Sequence, residues 1–400
     1  MAVQAPSVSQ PALAGRMQRI SVSATAAVVI EAERLRGEGA ELVDFGAGEP
    51  DFPTPAHIKQ AAVEALRQDF TRYTATGGIA PLKDAICRRH AALCGTSYQR
   101  GEVLVTLGGK HALFNSISAL VDHGDEVILP SPYWVSFYDQ ITYAGGRPVV
   151  VATDEERGFT LTPEMIEKAV TPRTRVILLN SPSNPSGAVF APALFRAVLE
   201  LCRDRGLWLI SDECYLQFIY EGAPYSVGAE PGARERVIIA GSLSKTYAMT
   251  GWRLGYALAP KPVIEAMLKL QSHSTSNPVS FVQKAAIAAL EGPQDCVTAM
   301  LNEYRRRRDL IIAGLRSIPG LCCGEPAGAF YAYPNIQALL RPGLDTPLVF
   351  SQRLLREAGV VTVPGEAFGT RSHLRFSYAT SRQNIERGLQ RMHEFCAKLS

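Results

Sequence analysis

From about Glu102 onward the sequence is a train of short apolar runs, each followed by a longer stretch, and this rhythm restricts the fold more than any other feature. The runs are Glu102–Leu107, Glu126–Leu129, Pro148–Ala152, Arg175–Leu179, Leu207–Ser211, Val237–Ala240 and Leu254–Leu258. Most are near-continuous Val, Ile and Leu rather than alternating apolar and polar, the pattern of strands buried on both faces of a mainly parallel sheet. Between them, His111–Val121, Pro163–Ala169 and Pro192–Arg205 have helical character. Strands alternating with helices predict an α/β, doubly wound domain with a mainly parallel, seven-stranded sheet flanked by helices.

After Pro293 the rhythm changes. A long helix is expected over Ala299–Ser317, then a shorter mix containing GAFYAYPNI, a helix near Leu348–Glu357, a strand at Leu374–Tyr378 and a final helix from Gln383. These segments predict a smaller α/β domain at 294–400. The N-terminal segment 1–48, with a helix at Thr25–Arg36, is expected to join it, leaving 49–293 as the large domain. A chain of 400 residues has room for this and can bury its core without disulfides or metals. The net charge of +3 gives no reason to expect a nucleic acid or an anionic membrane as partner. No window approaches the roughly 20 apolar residues that span a bilayer. The eight cysteines are scattered, none in C-x-x-C spacing, and no signal-peptide core precedes them. Reduced thiols in a cytoplasmic protein are therefore expected. The first dozen residues, rich in Ala, Pro, Ser and Gln, are expected to be poorly ordered. The basic run Arg305–Arg308 reads as a solvated helix face.

Ligands of open α/β sheets sit beyond the carboxyl ends of the strands, and four of those ends carry unusual polar residues. Gly108, Gly109 and Lys110 open a helix after Glu102–Leu107. NSPSNPSG, with Asn184, follows Arg175–Leu179. SDECY, with Asp212 and Tyr215, ends Leu207–Ser211. GSLSKTYAMTGWRLGY, with Ser242, Ser244, Lys245 and Arg253, follows Val237–Ala240. Taken singly each is ordinary: a turn, a helix cap or a solvated charge. Together they supply what a phosphorylated aromatic aldehyde requires. Backbone amides at a helix N-terminus, two hydroxyls and a guanidinium suit a phosphate. Asp212 suits a protonated ring nitrogen, Asn184 and Tyr215 a phenolic oxygen, Trp134 in SPYWVSF a flat ring, and the Lys245 amine the aldehyde.

The pattern resembles the class I/II aminotransferases of fold type I, which use pyridoxal 5'-phosphate (PLP), and is most similar to the bacterial branch of the aspartate aminotransferases. The resemblance runs from SVSATAAV (Ser21–Val28) to LRFSYATS (Leu374–Ser381). AGEPDF, YTATGGIAPLKDAI, VTLGGKHALFN, SPYWVSF, NSPSNPSG, SDECY and SLSKTYAMTGWRLGY stand in the family's order. It implies a Schiff base at Lys245 and pairing of Asp212 with the pyridine nitrogen. Tyr215 and Asn184 would hold the phenolic oxygen, and Trp134 would stack on the ring. Gly108, Gly109, Lys110, Ser242, Ser244 and Arg253 would hold the phosphate. Tyr73 would reach the phosphate of a partner subunit in a homodimer that shares its active sites. Arg375 would bind the substrate α-carboxylate, with Gly48 closing over it. Ser183 and Ser186 depart from the family's usual Asn and Thr, and Phe137 stands where the animal-type branch has a histidine, so any second partner for Asp212 must come from elsewhere.

What this implies is ping-pong transamination, with Lys245 as general base once the amino acid has displaced it. A dicarboxylic substrate needs a second cation beyond Arg375. The resemblance offers Lys110, assisted by hydroxyls near Ser23 and Thr25, which points to aspartate or glutamate with 2-oxoglutarate or oxaloacetate; the alternative is that Lys110 only aids the phosphate or points to solvent. Prephenate also carries a second carboxylate and stays open, as do aromatic or neutral substrates. A PLP carbon–sulfur β-lyase would use the same cradle. A regulator that kept the fold is disfavoured, because only about twenty residues precede the first matched motif.

Overall fold

A computed structural model describes residues 13–21 and 24–399. The expectation of poor order for the first dozen residues lies outside what is described. Among the described residues twelve strands form three sheets. They are β1 (Val43–Asp44), β2 (Val103–Thr106), β3 (Glu126–Ser131), β4 (Arg147–Ala152), β5 (Thr174–Asn180), β6 (Trp208–Asp212), β7 (Val237–Ser242), β8 (Gly255–Leu258), β9 (Tyr331–Ala332), β10 (Val360–Val361), β11 (Val363–Pro364) and β12 (Leu374–Ser377). Each of the seven apolar runs becomes a strand of one sheet, in the order β2-β8-β7-β6-β5-β3-β4. All neighbours are parallel except those of β8, which runs antiparallel to β2 and β7.

The sheet is buried on both sides, which explains the unbroken apolar runs. Val127, Leu129, Val176, Leu178, Ile210 and Ile238 pack on one face against the helices Gly109–Leu120, Val135–Ala144 and Lys261–Ser274. Their chain neighbours Ile128, Ile177, Leu179, Leu209 and Ile239 pack on the other, against Ala80–Cys94, Pro192–Arg205 and Ser280–Glu291. The split follows the two-residue period of a strand. β4 is an edge strand and departs from the pattern: Val150 is exposed, and Pro148 sits where an edge tolerates a missing N–H donor.

A second core forms around the Asp295–Arg316 helix, which starts four residues before the predicted Ala299. It holds Val43 and Phe45 together with Tyr304, Ile311, Phe376 and Ile385. β1 pairs in parallel with β10, Val43 opposite Val360, while β11, β12 and β9 form a small antiparallel sheet. Helices at Ala24–Gly37, Pro347–Ala358 and Arg382–Ala397 match the predicted positions.

The reading of Arg305–Arg308 as a solvated face holds for Arg306 and is overturned for Arg307 and Arg308. Arg307 and Arg308 are 6% and 7% exposed, because helical spacing puts them on the same inward face as Tyr304, Ile311 and Leu315. Arg307 pairs with Asp51 at 2.7 Å and Glu303 at 3.0 Å and lies over the Phe52 ring. Arg308 pairs with Asp309 and Glu325, and Arg305 donates to the Tyr220 carbonyl.

Candidate active site

A cavity of about 620 Å³ opens at the carboxyl ends of β5, β6 and β7. Of the predicted site residues, all but Gly108 and Tyr73 line it. The parallel register explains the convergence: Asn180 lies opposite Asp212 and Asp212 opposite Ala240, so the segments leaving these strands start side by side.

Lys245 follows β7 and is half-buried, with Nζ donating to the Gly48 carbonyl. Removal from water, with Arg375 and Arg253 adding to it, lowers its pKa to about 8 although Cys214 and Glu49 pull the other way. Asp212, the last residue of β6, is 4% exposed and accepts the Cys214 N–H at 3.0 Å. Burial raises its pKa to about 6 against the pull of its hydrogen bonds from Cys214. Among the described residues the hydrogen bond to the Asp212 carboxylate is this local one from the Cys214 amide, and Phe137 packs edge-on against Trp134.

Arg375 on β12 is buried. It donates through Nη1 to Asn184 Oδ1 at 3.1 Å and through Nη2 to Gly46 O at 2.7 Å, while its Nε has no partner among the described residues. Because Asn184 Oδ1 accepts from Arg375, its Nδ2 remains as the donor. Arg253, in the left-handed region at φ 54°, donates to the Thr250 carbonyl at 2.8 Å. Gly108, at φ 85°, lies behind it; a Cβ there would come within 2.6 Å of Arg253 Nη2. Ser242 Oγ accepts the Ser244 N–H. Lys110 Nζ sits 5.0 Å from the Trp134 ring centre, and burial lowers its pKa, helped by Arg253. Ser23 lies outside the described residues, and so does the side chain of Thr25. Tyr73 is 91% exposed and is not brought into this chain's cavity.

Contributors beyond the predicted set include Tyr331, Cys214, Thr250 and Gly255. Tyr331, from GAFYAYPNI, lines the cavity and meets Tyr215 hydroxyl to hydroxyl at 2.6 Å. Cys214 also lines it, though as one scattered cysteine it was assigned no role. Thr250 donates to Glu49 at 2.7 Å, tying the Gly46–Asp51 segment across the mouth. Gly255 has no room for a side chain, since a Cβ would stand 2.4 Å from Gly109 N. Cys214 and Thr250 sat inside quoted motifs, so their neighbours pointed to them. Nothing local pointed to Tyr331.

The donor set fits the group expected from the sequence. The amide end of the Gly109–Leu120 helix, two hydroxyls and Arg253 surround one part of the cavity. A buried carboxylate and a lysine of lowered pKa stand in another, and the unpartnered Arg375 Nε is an unused donor suited to a carboxylate.

Comparison with known proteins agrees. The family described as aminotransferase class I and II matches residues 40–392. The aspartate aminotransferase of Geobacillus stearothermophilus is 44% identical, over 96% of this chain and 98% of that protein. The aspartate/prephenate aminotransferase of Cereibacter sphaeroides is 42% identical, over 97% and 99%. The solved aspartate aminotransferase from Thermus thermophilus with maleate superposes with a TM-score of 0.91 at 41% identity, covering 96% of this chain and all of that one. The chain belongs to the class I and II aminotransferases, PLP-dependent enzymes of fold type I. It is an aminotransferase, and its reaction is transamination.

Proposed function

We propose that the enzyme moves the amino group between L-aspartate or L-glutamate and 2-oxoglutarate or oxaloacetate in a ping-pong cycle. The observation that carries this reading is that two cations, Arg375 and Lys110, line the same cavity as Lys245 and Asp212. Arg375 takes the α-carboxylate through its guanidinium fork. Lys110 takes the second carboxylate as a point charge. Gly108, Gly109, Ser242, Ser244 and Arg253 would hold the phosphate of PLP, Trp134 would stack on its ring and Asp212 would pair with its nitrogen. Bound there, PLP supplies an aldehyde carbon for the amino group and a ring that withdraws electrons from the substrate Cα.

The chain's own groups do the rest. Lys245, whose pKa burial lowers to about 8, is neutral in roughly a tenth of molecules at pH 7 and about half at pH 8, and removes the Cα proton as general base. Asp212, ionised above about pH 6, holds the ring-nitrogen proton in place. Tyr215 and Asn184 Nδ2 donate to the phenolic oxygen. Prephenate is the second reading, favoured by the aspartate/prephenate relative and by that acid's own second carboxylate.

The same proposal divides the chain at residues 48 and 293; the pairing of β1 with β10 supports joining the N-terminal segment to the C-terminal part. It makes the enzyme a cytoplasmic homodimer in which Tyr73 serves the partner's phosphate. The exposure of Tyr73, Val63, Leu66 and Val279 supports the dimer. Among the described residues no helix is long and apolar enough to cross a membrane.

Single amino acids added to the PLP-loaded protein test the substrate class through loss of its visible absorbance. Aspartate and glutamate should convert it fast, alanine and phenylalanine slowly, and Lys110→Ala should remove most of that preference. The reverse ranking, or a preference untouched by Lys110→Ala, defeats the assignment.

A further inference from the structure

Tyr331 stands where the carboxylate-binding and ring-binding parts of the site meet. It lies on β9, and the antiparallel register sets it opposite Ser377, two residues past Arg375 on β12. Residues two apart share a strand face, so Arg375 and Tyr331 are diagonal neighbours. The Arg375 guanidinium carbon lies 4.7 Å from the centre of the Tyr331 ring. At its other end the Tyr331 hydroxyl meets Tyr215 Oη at 2.6 Å. A Cβ on Gly48 would approach that hydroxyl to 2.7 Å, so the segment over the cavity rests on it. Tyr331 is 0% exposed and Tyr215 5%, so water does not compete for the contact.

Two buried hydroxyls sharing one hydrogen bond leave one proton to point elsewhere. The Arg375 cation over the Tyr331 ring draws electron density from that phenol, making it the stronger donor of the two. With Tyr331 as the donor of that hydrogen bond, the Tyr215 hydroxyl is left to donate into the cavity. A hydroxyl that accepts one hydrogen bond becomes a better donor of the next. The titratable groups bearing on Tyr331 are Arg375, Tyr215 and Cys214.

We propose that Tyr331 is a positioning residue of the transamination site, whose hydroxyl donates to Tyr215 Oη and so aims and strengthens the hydrogen bond that Tyr215 offers the cofactor's phenolic oxygen. This rests on the reading of Tyr215 given under Proposed function. Tyr331 also links Arg375 to that oxygen by a second route, beside the direct bond from Arg375 to Asn184.

The test compares the wild type, Tyr331→Phe, Tyr215→Phe and the double variant, each loaded with PLP, by the pH midpoint of the visible absorbance. Phenylalanine keeps the ring over Arg375 and removes only the hydroxyl, and an unfolding curve checks that each variant is folded. A hydrogen bond donated to the phenolic oxygen favours the deprotonated cofactor. Its weakening therefore moves the midpoint up, by roughly 0.5 in pH for a neutral bond acting at one remove. Tyr215→Phe should move it further, and the double variant should match Tyr215→Phe alone, since Tyr331 acts through Tyr215. An unmoved midpoint in Tyr331→Phe, or an equal shift with Tyr215 already replaced, overturns the proposal. An unmoved midpoint in Tyr215→Phe overturns the Tyr215 assignment beneath it.

Discussion

Asp212→Asn should make the cofactor-free protein more stable at neutral pH while ending its use as an enzyme. Asp212 is 4% exposed, and burial lifts its pKa from the ordinary 3.8 to about 6. The folded chain therefore binds a proton that the unfolded chain has lost between those two values. Stability falls as pH rises through that window and stays low above it. At 1.36 kcal/mol per pH unit the span corresponds to about 3 kcal/mol, an upper bound for what the charge costs above pH 6. The asparagine oxygen can still accept the Cys214 N–H, so the substitution removes the charge and little else. Urea unfolding of both apoproteins from pH 4 to pH 8 reads this out. The variant should gain little near pH 4 and about 1–3 kcal/mol at pH 7.5, with the gain levelling off above pH 6.5. A gain independent of pH, or a variant less stable at pH 7.5, would show that the buried carboxylate is not strained by its surroundings. With PLP added, the variant should lose activity by orders of magnitude, the trade of stability against function found at active sites.

Two further substitutions test the frame around the site. Gly255→Ala places a methyl 2.4 Å from Gly109 N and 2.9 Å from Gly241 O, where backbone cannot yield cheaply. Overpacking of about 1–3 kcal/mol should weaken PLP retention on dialysis by about ten- to a hundredfold. Gly251→Ala, with nothing within 4 Å, should leave it unchanged, and equal retention by both variants would refute the close-approach argument. Arg307→Met should cost about 2–3 kcal/mol in urea unfolding, less than for a fully buried pair because Asp51 and Glu303 keep some water. Arg306→Met, at an exposed pair, should cost under about 0.5 kcal/mol, and equal losses would restore the solvated-face reading.

Arg305–Arg308 shows where sequence reasoning ran out. Charge alone suggested water, yet the side of a helix that faces inward depends on what lies beside it, here Asp51 and Phe52 from some 250 residues away. Tyr331 shows the same limit. GAFYAYPNI contains nothing that distinguishes one tyrosine from the next, and only the register of β9 against β12 puts Tyr331 rather than Tyr333 against Tyr215. The opposite holds for the strand ends. Local apolar runs fixed where strands stop, so the residues just beyond them could be read as a group.

By itself the sequence determined the seven strands of the large sheet, because a strand buried on both faces needs an unbroken apolar run. It also determined the chemical inventory of the site, because the amine, the carboxylate, the guanidinium groups and the glycines are side-chain identities. Only the tertiary structure decided which polar groups meet: Arg375 with Asn184, Lys245 with the Gly48 carbonyl, Tyr331 with Tyr215. It also decided how far burial moves Lys245 and Asp212 from their ordinary pKa values. Both depend on contacts between residues distant in the chain and on the exclusion of water, and neither quantity exists until the chain has folded.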